Sequence, residues 1–78
     1  MSAVDFDMQF AVVIEKAGTN YSAYVPDLPG CVAAGDTLQD VKDSIREAIA
    51  FHIAGLREDG LPIPEPSTLV TDIDVKVA

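Results

Sequence analysis

YSAYVPDLPGCVAAGDTLQDVKDSI, residues 21–45, is where the chain changes its period. Its first residues alternate, with Tyr21, Ala23 and Val25 on one side and Ser22 and Tyr24 on the other, which predicts a half-buried strand over 21–25. Pro26 cannot donate a backbone hydrogen bond, so it ends that strand. Two turns fit in the next residues: Pro26-Asp27, where a short carboxylate can bond the local backbone, and Pro29-Gly30, where glycine supplies the positive φ of a type II turn. Cys31 reopens an extended run, CVAA, over 31–34, and Gly35 closes it. From Leu38 onward the apolar residues Val41, Ile45, Ala48, Ile49, His52, Ile53 and Leu56 recur at helical spacing.

The helix ends are marked. Thr37 with Asp40 three residues later resembles a capping box, and Asp36, Asp40 and Asp43 set negative charge near the positive end of the dipole. Gly60 suits the position just past the helix, and Leu56 and Leu61 are spaced as the apolar pair of a Schellman cap. The helix is therefore expected over 38–58. Upstream, residues 6–16 alternate Phe6, Met8, Phe10, Val12 and Ile14 on one face, with Ala11 and Val13 on the other, and A-G-T-N at 17–20 predicts a hairpin turn. Downstream, Pro62, Pro64 and Pro66 make a stiff connector. It leads to residues 69–77, where Leu69, Thr71, Ile73, Val75 and Val77 alternate with Val70, Asp72, Asp74 and Lys76.

The expected architecture is α+β, in the order β-β-β-α-β. Three strands form an antiparallel meander, and a parallel fourth strand follows a crossover through the helix. One helix covers one face of the sheet. Ala11, Val13 and Tyr24 are left on the other face as a candidate contact surface for another copy or a partner, and the tip of the 25–31 loop adds Asp27 and Leu28. Pro26, Pro29, Gly30, Thr37 and Gly60 are read as structural turn and cap residues.

The chain has 78 residues and is read as one domain, 1–78. A domain of this size buries only about 60% of the surface its unfolded chain exposes, so a homodimer or homotetramer is expected. With one cysteine and one histidine it has neither an internal disulfide nor the ligands of a zinc site. The lone cysteine fits a reducing compartment, and no signal or membrane-spanning pattern is read, so a cytoplasmic location is expected. Thirteen acids against five bases give a net charge of −8. That balance disfavours direct nucleic-acid binding and anionic membranes, and it suits a basic protein partner.

The residues that could carry chemistry are few. Glu15, Asp27 and Glu47 are dispersed acids, read as solvated, with no carboxylate in the middle of the first strand to build a two-metal site. Cys31 and His52 are better explained by packing than by a nucleophile–base pair, since no third group orients them. Gly55 interrupts a helical run and suggests the close approach of another backbone, from the connector or a neighbouring chain. No enzyme activity and no cofactor are expected.

YSAYVPDLPGCVAAGDTLQDVKDSIREAI, followed by GLREDGLPIPEPS, resembles the HicB family of antitoxins, and the resemblance extends from about residue 9 to residue 75. It implies a single HicB-like domain with a β-β-β-α-β core described as a partial ribonuclease H-like fold. It also implies a type II toxin–antitoxin system. The antitoxin binds and occludes a small basic HicA-type toxin, a ribonuclease that cleaves mRNA with a histidine, where one is encoded nearby. Many members carry an additional C-terminal DNA-binding domain. This sequence ends at Ala78, after the last expected strand, and DNA binding is not expected of it. One alternative is a stand-alone oligomeric binding module of the same fold with no toxin; a remoter one is a residual metal-dependent ribonuclease.

Overall fold

The structure is a computed structural model that describes residues 8–78. Three strands, β1 (Val13–Ala17), β2 (Asn20–Tyr24) and β3 (Val32–Gly35), precede one helix, α1 (Leu38–Glu58). The strands form an antiparallel sheet in the order β1-β2-β3, with Val13 opposite Tyr24 and Tyr24 opposite Val32. This is the α+β meander with one helix that the sequence predicts.

Strand periodicity sorts the side chains. Ile14, Ala23 and Ala33 lie in one row on the inner face. Beneath the helix, Ala23, Val25, Leu28, Cys31, Val41 and Ile45 form the buried cluster, with Phe10, Val12, Ile14, Tyr21, Ala48 and Ile49 packed around it. Removing these apolar surfaces from water is the main force holding the helix on the sheet.

Both helix ends are satisfied. Thr37 adopts an extended backbone, and its Oγ1 accepts the Asp40 amide at 3.0 Å. At the other end the Leu61 amide donates to the Leu56 carbonyl at 2.9 Å, and the Gly60 amide to the Arg57 carbonyl at 3.1 Å. These are the paired bonds of a Schellman cap, with Gly60 at φ +71°.

Strand 1 is shorter than the sequence suggests. Its ladder begins at Val13, residues 8–12 stand outside it, and Phe6 lies outside the described residues. Continuing the register would set Ala11 opposite Pro26. The Val25 amide points toward Cys31, whose carbonyl it meets at 3.1 Å, so residue 26 would face β1. Proline has no amide to offer there, and the ladder stops. The fourth strand is also corrected. Among the described residues, 69–77 pair with no strand, and their side chains are exposed. The alternation makes the segment strand-prone, but among the described residues it takes no place in the sheet.

Candidate interaction site

The loop at 25–31 is two successive turns. The Leu28 amide donates to the Val25 carbonyl at 3.1 Å, and the Cys31 amide to the Leu28 carbonyl at 3.0 Å. Gly30 sits at φ +86°, a conformation that side-chain-bearing residues rarely adopt, and Pro29 precedes it. Pro26 is half-buried and Pro29 exposed. Leu28 is not an exposed contact residue: it is 0% exposed and among the largest fully buried side chains. Both turns fold around it, so the loop's middle residue is an anchor into the core.

Asp27 points the other way, to the connector. Its Oδ2 accepts the amides of Ser67 at 2.9 Å and Thr68 at 3.0 Å. Its Oδ1 accepts the hydroxyls of Thr68 at 2.8 Å and Ser67 at 3.2 Å. The Thr68 amide, then the Ser67 amide and the Thr68 hydroxyl, lower the carboxyl from 3.8 to about 2, so it is ionised at neutral pH. The aspartate of VPDLPGC and the serine and threonine after the prolines are thus one structural unit.

The open face of the sheet carries a row of Val13, Tyr24 and Val32, one from each strand, with Tyr24 43% exposed. Glu15 lies one pair along on the same face, opposite Ser22. Ala11, two residues before Val13, is half-buried and outside the ladder. Val13 and Tyr24 therefore meet side by side, while Asp27 and Leu28 do not join them.

Cys31 is buried, and burial pushes its thiol up from 9.0, which keeps it protonated and poorly nucleophilic at neutral pH. Among the described residues, no three His, Cys, Asp or Glu side chains group as metal ligands. No helix among them is long and apolar enough to cross a membrane.

A family model described as HicB_like antitoxin of bacterial toxin-antitoxin system matches residues 10–76. This chain belongs to the HicB-like antitoxin family. Among curated relatives it is 42% identical over 62 residues to an uncharacterized 14.9 kDa protein of Haemophilus phage HP1. That match covers 80% of this chain and 47% of the phage protein, so the chain spans about half of that relative. It is 32% identical to a UPF0150 protein of Helicobacter pylori, over 91% of this chain and 100% of the relative. Among solved structures, a chain of a HicA3 and HicB3 toxin-antitoxin complex is 36% identical with a TM-score of 0.66. That match covers 76% of this chain and 69% of the other.

Three features of this HicB-like chain escape a reading of its sequence. The helix approaches Gly35 so closely that a Cβ there would lie 2.6 Å from the Val41 amide nitrogen, a contact that its place at the end of the third strand does not reveal. Ser67 and Thr68 are ordinary loop residues until Asp27 is seen beside them. Phe51 stands 82% exposed on the helix, one turn before Gly55. A Cβ on Gly55 would meet nothing within 4 Å, so the connector does not account for that glycine.

Proposed function

We propose that this protein is the antitoxin of a type II toxin–antitoxin pair, and that it binds and occludes a small basic HicA-type mRNA-cleaving toxin. The observation that carries the reading is the similarity to a chain of the HicA3 and HicB3 complex, at 36% identity and a TM-score of 0.66. The surface best suited to the task is the open face of the sheet. Tyr24 supplies a large amphipathic side chain between Val13 and Val32, and such tyrosines are frequent interface anchors. Glu15 borders the row, and the net charge of −8 steers a basic partner toward the molecule.

In this role the protein performs no chemistry of its own and needs no cofactor. It blocks a nuclease by occupying its surface. The test is coexpression with a small basic reading frame encoded beside its gene. A stable complex and rescue of growth from the toxin are expected; neither complex nor rescue refutes the reading. Incubation of the purified protein with RNA and Mg²⁺ is expected to leave the RNA intact.

A further inference from the structure

We infer that residues 69–77 complete the sheet of a second copy of this chain, so that the protein is a dimer with exchanged C-terminal strands. The segment is built as a strand and used as none. Leu69, Ile73, Val75 and Val77 recur with period two, and Leu69 is 92% exposed. An exposed, strand-prone apolar segment is a liability in a soluble chain unless a sheet edge takes it up.

The same chain contains the matching vacancy. Among the described residues, β1 is a sheet edge, with no strand on the side away from β2. Beside it, an open groove of about 350 Å³ lies between Phe10, Val12 and Ile14 on the β1 side and Ile45 and Ile49 on the helix. A strand laid along β1 would take up the free ladder and turn alternate side chains onto those isoleucines.

The departure of the tail selects a second copy as the occupant. Thr68, Leu69 and Val70 already border the same open hollow as Gln9, Phe10 and Ala11. From there the tail could follow its own β1, yet it runs out into solvent. The described chain is 51 Å long against widths of 27 and 25 Å. Asp27 fixes the point of exit at Ser67 and Thr68, and the prolines at 62, 64 and 66 stiffen the approach. A rigid lead-in and an outward strand favour exchange over folding back, and two such chains close on each other with twofold symmetry.

The test is size together with proximity, on the full chain. Sedimentation is expected to give a dimer. In a mixture of ¹³C-labelled and unlabelled protein, isotope-filtered NOEs are expected between Ile73 or Val75 methyls of one chain and Val12, Ile45 or Ile49 methyls of the other. Ile73→Asp is expected to yield monomers whose helical circular dichroism is unchanged. A wild-type monomer overturns the inference, as does a dimer whose tail-to-groove NOEs are all within one chain. The toxin plays no part in these measurements, so they stand apart from the proposed function.

Discussion

Gly35 and Val41 are in backbone contact: a Cβ built on Gly35 would fall 2.6 Å from the Val41 nitrogen and 2.9 Å from the Asp40 carbonyl carbon. The first turn of the helix therefore lies directly on the end of β3. Gly35→Ala must push the two apart, an overpacking of roughly 1–3 kcal/mol. For a domain of this size each kcal/mol corresponds to about 4–8 °C in Tm, which a thermal melt resolves. Gly55→Ala is the contrast. It meets no atom within 4 Å and is expected to stabilise the helix by about 1 kcal/mol in the same melt.

Leu28→Ala should be among the more damaging substitutions. The side chain is fully buried, and its loss costs about 2–5 kcal/mol, depending on how far the two turns collapse into the space. Gly30→Val is expected to act on folding first, because it forces a β-branched residue to φ +86°. Urea denaturation separates both effects from partner binding. Normal stability with lost binding in Gly30→Val would overturn its assignment as a turn residue.

The Asp27 anchor has a defined pH window. Its carboxyl is lowered in the folded protein to about 2 from 3.8, so the folded state holds the ionised form more tightly than the unfolded chain does. Its contribution is fully present above the unfolded value. It is lost as pH falls through the folded one, between about pH 4 and pH 2. The amide shifts of Ser67 and Thr68 are expected to titrate near pH 2, and a midpoint near 3.8 would contradict the four-bond geometry. In Asp27→Ala those two amides are expected to exchange faster while β1–β3 and α1 persist.

Tyr24→Ala tests the open face. The residue is partly exposed and contributes little to the core, so the melt should move only slightly. If Tyr24 anchors the toxin, its truncation costs about 2 kcal/mol of binding, roughly a 30-fold rise in Kd by calorimetry. Unchanged affinity would move the interface elsewhere, with the exposed Phe51 the next residue to test.

Much of this architecture is legible in the sequence because its signals are local. Period two gives way to period 3.6 at Leu38, Thr37 and Gly60 bracket the helix, and Pro29-Gly30 specifies its turn within four residues. The rest depends on contacts between distant positions. Ser67 and Asp27 are 40 residues apart, and nothing in either neighbourhood names the other. Leu28 sits between two prolines, where polarity suggests a loop tip, yet the double turn points it inward. Alternation at 69–77 encodes the capacity to form a strand but not the identity of its neighbour, and alternation at 8–12 is overridden by the missing amide of Pro26 across the ladder. The family resemblance was legible for the same reason as the turns, since its motifs are runs of adjacent residues.

The four bonds to Asp27 also bear on what the loop can do for anything outside the chain. A carboxylate offers about four acceptor positions, and here four donors occupy them. A cation or a basic side chain that engages Asp27 must first evict Ser67 and Thr68. Occupancy at the loop and attachment of the connector are therefore competing states, linked by a single free energy that acts equally in both directions. Whatever grips Asp27 loosens the root of the C-terminal segment, and whatever secures that segment shields Asp27.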